Sequence, residues 1–517
     1  MPHSLLKRRV LVIGAGSSGL AAVQQALEAG LEPVCFEARP GVGGAWRYDS
    51  EPGDKILDWD DDGWCTPRCP GEGIVESSLT SPMYRSLRTN VPTSLMQYRG
   101  RPFPPTTGLY CEHQQVQEYL EDFAEPYLPF IRFDTRVVSL RHALPSDELE
   151  GPARRWLASF RSTATNDVPV ESETFDAVFV ANGHYARPYI PYVEGLRSFP
   201  AEISHSRWYR EAEQYKNKTV LVIGNSASGY DITRELAASI YDRRQAVPSA
   251  QLPRIYQSAR SLPALGIPWD APDAPPYSKE VQTFPPIKEI AGKHIEFQDG
   301  RSIDDVEVVM FATGYHFSFP FCDPSTAPFS SHPLTYAPTK TGERGPPSAA
   351  GGMRVHNLDD RMCFYLPDPT LAFLALPYLT IPFPLAQLQA RLAALHFASS
   401  SRLPAPLTFV PDPSTADEHT GEPDGAPETR KPVTWGHPKQ YDEMDRWMRE
   451  SGDVPVAEDM EGELRILQGC GGGPTKANGK EEEGGLMGER SPYGLTSQAE
   501  RDLRVGAKAL RKAVLGY

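Results

Sequence analysis

Gly14-Ala15-Gly16-Ser17-Ser18-Gly19 and Gly224-Asn225-Ser226-Ala227-Ser228-Gly229 are spaced so that backbone, not side chain, can hold a phosphate. In the first turn Gly14 makes the tight strand-to-helix reversal, Gly16 lets the backbone approach a pyrophosphate, and Gly19 lets helix and strand pack closely. The helix that starts around Ser17 and Ser18 then offers unpaired N–H groups and a positive dipole end. Glu37, about 20 residues further on, places a carboxylate where ribose hydroxyls would lie. The second turn has Ser226 where the middle glycine would sit, while Gly224, Ser228 and Gly229 keep the pattern. No acid ends its following strand, Arg254 to Gln257. Instead Ser258 and Arg260 follow, and a cation with a hydroxyl suits a 2′-phosphate, which points to NADPH over NADH. The alternative for Arg260 is a solvated surface arginine. Two dinucleotide sites in one chain point to electron transfer between two nucleotide cofactors.

The elements around these turns have the order that the chemistry needs. Apolar Val10 to Ile13 feeds the first turn, helix-compatible Leu20 to Leu27 follows, and Pro33 to Phe36 forms the next strand. A helix is expected near Gln114 to Glu125, and a strand from Phe175 to Val180 that ends at Asn182-Gly183-His184. Val220 to Ile223 feeds the second turn, Tyr230 to Ile240 continues as helix, and Val306 to Phe311 ends at Ala312-Thr313-Gly314-Tyr315, which returns the chain to the first unit. The expected fold is α/β, with two Rossmann-like dinucleotide-binding domains and the second inserted into the first. Pro411 to Pro432 and Gly469 to Pro492 are poor in apolar residues and read as mobile, with short amphipathic helices at Tyr441 to Arg449 and Gln498 to Val514.

A chain of 517 residues, 40% hydrophobic and 23% charged, has room for two or more domains and a large core. Its net charge of −15 argues against nucleic acid and anionic membranes as partners. The 51 prolines are about twice the usual share and belong in loops. Seven scattered cysteines fit a reducing compartment. Cys65 and Cys69, the only close pair, lack both zinc and redox spacing and read as free thiols in a loop. The N-terminal apolar run is too short for a signal sequence, and the most apolar window, Leu371 to Leu388, is broken by Pro377, Pro382 and Pro384. A soluble, cytoplasmic protein without a membrane anchor is expected, and assembly into a homo-oligomer is left open.

The linked motifs resemble the flavin-containing monooxygenases, class B flavoprotein monooxygenases, over roughly residues 8 to 400. The resemblance rests on the first turn, Gly43-Gly44-Ala45-Trp46, Leu87-Arg88-Thr89-Asn90-Val91-Pro92, the second turn and Ala312-Thr313-Gly314-Tyr315. Met83 to Ser86 and Phe364 to Pro369 look like soluble fungal members. The linker Phe199 to Tyr209 is similar to the signature F-x-G-x-x-x-H-x-x-x-[FY], keeping Phe199, His205 and Tyr209 but with Ala201 for the glycine. The related Baeyer–Villiger branch would need Trp in place of Tyr209.

This resemblance implies FAD in residues 1–185 and 316–410 and NADP(H) in 186–315, while composition makes 411–517 a partly mobile C-terminal region with short helices. It implies that NADPH reduces FAD, O2 adds to give a C4a-hydroperoxyflavin, and a nucleophilic N or S atom of a small molecule takes the oxygen, as in N-oxide formation or S-oxygenation. The chemistry then resides in the cofactor, and the protein orients it and excludes water. Asn90 is the implied catalytic residue, because an amide donates and accepts without titrating; the alternative is a turn asparagine before Pro92. Gly44 and Trp46 would lie close to FAD, with Trp46 alternatively filling core. His205 and Tyr209 would support NADP(H), and Thr313 and Gly314 would meet phosphates or close the domain junction. His113, His142 and His184 read as isolated surface or supporting residues. The rivals are a ketone-oxygenating enzyme, an NADPH oxidase or pyridine-nucleotide reductase without oxygen insertion, and a non-enzymatic nucleotide sensor. Cofactor reoxidation by O2 and the nature of the product separate them.

Overall fold

The computed structural model describes residues 7–515 except 68–79, 148–153, 165–168, 245, 247, 249–250, 264–265, 341–343, 413–433, 454–492 and 494. Cys69, Cys470 and most of the two segments read as mobile lie outside the described residues. Strand β1 (Arg9–Ile13) is followed by α1 (Ser17–Glu28) and β2 (Glu32–Phe36), the βαβ start that the apolar runs require. Helix α2 (His113–Ala124) then leads to β3 (Ile131–Arg132) and β4 (Ala177–Val180). The second unit contains β5 (Glu202–His205), β6 (Val220–Ile223), α3 (Ala227–Arg243), β7 (Ile255–Ser258), β8 (Val281–Phe284) and β9 (Val308–Phe311). The chain closes with β10 (Leu371–Phe373), α4 (Pro382–Phe397), α5 (Lys439–Glu450) and α6 (Gln498–Leu515).

The first sheet has the order β10-β4-β1-β2-β3 and the second β5-β9-β6-β7-β8, and every pairing in both is parallel. Because β10 joins β4 after the whole second unit has been built, that unit is inserted into the first. The two folds are Rossmann-like, as the turn chemistry demanded. Val10, Leu11 and Val12 are fully buried, as strands covered on both faces must be. Helix α4 is buried on nearly all sides and packs on α1. Its Arg391 keeps its charge there by pairing with Asp453 and Glu28.

Two features differ from the sequence-based expectation. The strand expected from Phe175 to Val180 is divided at Asp176, since Phe175 ends an antiparallel strand, Glu171–Phe175, that pairs with Trp156–Ser162 and through it with Thr135–His142. Cys65 is not in a loop: it is buried in the strand Cys65–Pro67, which pairs with Leu57–Trp59. No helix among the described residues is long and apolar enough to cross a membrane.

Candidate active site

The first turn cannot tolerate side chains at two of its glycines. Gly14 has φ +99°, and a Cβ there would lie 2.7 Å from the Ala181 carbonyl oxygen; a Cβ on Gly19 would lie 1.8 Å from the Gly14 oxygen. Gly16 has a different reason: its missing Cβ would stand 3.4 Å from the Cα of Gly44, whose own Cβ would be 2.9 Å from the Cα of Gly16. The turn and the Gly43–Trp46 loop therefore meet backbone to backbone. Helix α1, which Ser17 and Ser18 open, has neither a side-chain cap nor an acid in its first turn, so its N–H groups are left for an anion. A dinucleotide pyrophosphate fits this cradle.

Glu37 is buried just past β2 and anchors the turn. One carboxylate oxygen accepts from Ala15 N–H at 2.6 Å, the other from Arg39 N–H at 2.8 Å, and burial raises its pKa. Each oxygen retains a lone pair for a ribose hydroxyl. Arg39, which the sequence did not single out, donates to the carbonyls of Gly44 and Arg47 at 3.1 and 3.2 Å and forks onto Asp49 at 2.8 Å. It fixes the loop that faces Gly16. Trp46, in that loop, is half-buried and meets Phe383 of α4 edge-on at 6.2 Å.

The second turn repeats this construction. Gly224 has φ +107°, its Cβ would be 2.5 Å from the Ala312 oxygen, and a Cβ on Gly229 would be 2.3 Å from the Gly224 oxygen. Its N–H donates to Ser258 O as that of Gly14 does to Phe36 O. Ser226 is exposed at the start of α3, and Ser228 is half-buried in its first turn. Arg260 is exposed just beyond β7, in a loop tied to the turn by a hydrogen bond from the Asn225 amide to the Ser261 carbonyl. Ser258 is not a neighbour of the same kind: it is buried, and its hydroxyl donates to Pro285 O at 2.8 Å.

The linker motif has its partners inside the protein. His205 is fully buried; its Nδ1 accepts from Arg207 N–H at 3.1 Å, so Nε2–H donates to Gly314 O at 3.0 Å. Tyr209 donates to Glu235 of α3 at 2.7 Å. Thr313 donates to the Tyr189 carbonyl, and Gly314, at φ +92°, accepts from Tyr189 N–H at 2.9 Å. His205, Thr313 and Gly314 meet where the second unit rejoins the first, while Tyr209 is held against α3. Ala201 has no positive φ, which explains why alanine serves in the glycine position of the signature.

Asn90 is exposed, while its neighbour Thr89 is buried and donates its N–H to Cys111 O at 3.0 Å. The same segment continues to Tyr98, whose hydroxyl donates to Ser17 O of the first turn. Asn90 thus sits on a stretch fastened to the first turn. The chain leaving β4 and the chain leaving β9 also come together, with the rings of Tyr185 and Tyr315 5.5 Å apart and the Asn182 amide donating to Ser318 O at 2.9 Å. The segments in contact leave the carboxyl end of one strand in each sheet, the end at which such folds bind their ligands.

The histidines correct the surface reading. His113 and His184 are buried, and His142 pairs with Asp368 at 2.8 Å. Burial holds His184 down at about 4 and His205 and His316 at about 3. Between about pH 6.5 and pH 4 the unfolded chain binds protons at these sites that the folded chain does not, so stability must fall as the pH falls. Each contributes a slope of up to about 1.4 kcal/mol per pH unit in mid-window. Melting curves at pH 7, 6 and 5 should show Tm decreasing stepwise; a flat profile would mean that these rings take up protons in the folded state.

The profile of the flavin-binding monooxygenase-like family matches residues 7–57 and 74–246, and that of the pyridine nucleotide-disulphide oxidoreductases matches residues 165–330. Over 428 residues the chain is 30% identical to the flavin-containing monooxygenase FMO GS-OX-like 2 of Arabidopsis thaliana, covering 80% of this chain and 78% of that protein. It is 29% identical over 414 residues to the thiol-specific monooxygenase of Saccharomyces cerevisiae, covering 78% of this chain and 79% of that one. The solved structure of S-allyl-L-cysteine S-oxygenase from Allium sativum has the same fold, with a TM-score of 0.67 at 23% identity over 99% of this chain and 94% of that one. The chain belongs to the flavin-binding monooxygenase-like family. It is a flavin-dependent monooxygenase that binds FAD and NAD(P)H.

Proposed function

We propose that this protein is a cytoplasmic enzyme that uses NADPH and O2 to oxygenate a nucleophilic nitrogen or sulfur atom of a small molecule. The observation that carries the reading is that two glycine turns built alike stand in one chain, and that the segments leaving β4 and β9 beside them touch, Tyr185 against Tyr315 at 5.5 Å. Residues 1–185 and 316–410 form the FAD-binding part and 186–315 the NADP(H)-binding part. Bound FAD supplies the electron transfer and the oxygen activation. Around it, Gly14, Gly16, Gly19 and Gly44 admit the pyrophosphate, Glu37 takes the ribose, and Asn90 presents an amide to the reacting groups. Tyr209 in place of tryptophan supports heteroatom over ketone oxygenation. Against a disulfide reductase, burial pushes the Cys65 thiol up to about 12 and Cys111 up to about 11, so neither is a thiolate at neutral pH.

The test is to supply FAD-loaded protein with NADPH, O2 and a panel of sulfides, thiols, tertiary amines and cyclic ketones. One N- or S-oxygenated product per NADPH supports the reading; lactones move the enzyme to the ketone branch, and H2O2 alone makes it an oxidase.

Coenzyme choice is tested separately. Arg260→Ala should reduce the preference for NADPH over NADH by roughly ten- to hundredfold, because a hydrogen bond between charged groups is worth about 1.5–3 kcal/mol. The KM values for both coenzymes in flavin reduction check this. An unchanged ratio would assign the 2′-phosphate to another residue.

A further inference from the structure

The chain leaving β4 carries His184 into a cluster of rings whose outer member, Tyr185, also packs on Tyr315 of the motif after β9. Its imidazole lies 4.7 Å from the Tyr378 ring and 5.3 Å from Phe317, and Phe317 and Tyr378 are 5.6 Å apart. Tyr185, 44% exposed, packs on His184 at 4.4 Å and Tyr378 at 6.3 Å and forms the outer edge of the cluster. Two polar atoms in this apolar setting are buried and have no hydrogen-bond partner among the described residues: Nε2 of His184 and the hydroxyl oxygen of Tyr378. Such groups cost stability unless something satisfies them, so a pair of them on adjoining rings marks a place built for a ligand. The Tyr378 backbone is held: Tyr378 O accepts from Trp435 N–H at 3.1 Å, and the neighbouring Leu379 O accepts from Arg504 of α6 at 3.2 Å. The cluster stands beside the flavin-side turn, since Ala181 and Asn182, just before His184, are what a Gly14 Cβ would strike.

We propose that His184 and Tyr378 bind the substrate, and that the substrate is a small neutral thioether or thiol carrying one hydrogen-bonding group. This rests on the heteroatom-oxygenating reading above. The ring faces accept the soft sulfur and its alkyl groups, and the two orphan atoms take the polar substituent. A protonated amine fits less well. Burial alone acts on His184, burial with Tyr185 and Tyr315 acts on Tyr378, and a cation, Arg207, stands at the rim, donating to Tyr185 O at 3.3 Å. In the reaction one oxygen atom of O2 joins sulfur to give the sulfoxide. The other leaves as water, and NADPH with one proton supplies the two electrons.

The experiment compares 2-(methylthio)ethanol, ethyl methyl sulfide and N,N-dimethylethanolamine as substrates of the FAD-loaded full chain. The parent should have its highest kcat/KM on 2-(methylthio)ethanol. Tyr378→Phe, which removes one oxygen and keeps the ring, should raise KM for that sulfide about three- to tenfold, the loss of one neutral hydrogen bond, and leave KM for ethyl methyl sulfide as it was. Its Tm should stay level or rise, because an unsatisfied hydroxyl has gone; a structural hydroxyl would instead lower Tm. His184→Phe should shift KM in the same selective way. Equal KM changes for both sulfides, or none, overturn the assignment of Tyr378, and a higher kcat/KM for the amine overturns the sulfur preference. A parent that oxygenates none of the sulfides, thiols and amines overturns the underlying heteroatom reading, and this proposal with it.

Discussion

Gly16→Val should give a colourless protein with essentially no bound FAD. The position has no Cβ, and the Cα of Gly44 would stand only 3.4 Å from where one would be. Valine adds two further methyl groups to that gap, which either push the Gly43–Trp46 loop away or fill the space a pyrophosphate needs above the start of α1. The effect should be local. Gly16 itself makes no positive-φ demand, unlike Gly14 and Gly44, so the chain can still fold around a valine. The second turn supplies the internal control, because Ser226 occupies the matching place and is exposed. Ser226→Gly should leave nucleotide binding close to parental. The measurements are the FAD-to-protein ratio from the visible spectrum and far-UV circular dichroism of the same samples. A yellow Gly16→Val protein with full FAD content would remove the first turn from the FAD site.

The contrast between these two turns shows how far the residues alone could be read. A strand, a glycine turn, a helix and an acid at fixed spacing leave few alternatives, so both Rossmann units and their nesting were legible from Val10 to Glu37 and from Val220 to Gln257. The departures at Ser226 and Ala201 were legible as departures, but their harmlessness was not: it depends on what backbone stands opposite, and only the fold brings Gly44 to Gly16. The antiparallel strands Thr135–His142 and Trp156–Ser162 were missed because their buried positions do not alternate cleanly, as the bulge between Val137 and Ser139 shows. Arg39 and Tyr98 escaped for another reason. Their importance lies in contacts to Gly44, Asp49 and Ser17, and an arginine or tyrosine in a loop carries no sign of its partner. His184 is the sharpest case, for a lone histidine after a strand looks the same in sequence whether it meets solvent or, as here, three aromatic rings.

Asn90→Asp should uncouple the enzyme, lowering product formed per NADPH by roughly a hundredfold while NADPH is still consumed. The segment that carries Asn90 is fixed to the flavin-side turn through Thr89, Tyr98 and Ser17, yet the Asn90 side chain is exposed, with no protein hydrogen bond among the described residues. A turn asparagine usually spends its amide on its own backbone, so one that does not is free to act on what binds beside it. The amide offers two donors and an acceptor and does not titrate. Aspartate of nearly the same shape removes the donors and brings a negative charge to a region where oxygen chemistry develops negative charge. The loss of one preorganised donor is worth about a hundredfold or more in such sites. H2O2 should then appear in place of oxygenated product, with FAD content unchanged because the pyrophosphate cradle is untouched. The measurement is product and H2O2 per NADPH oxidised, in parent, Asn90→Asp and Asn90→Gln. If Asn90→Asp stays fully coupled, the residue serves only the turn before Pro92, and another group must orient the reacting oxygen.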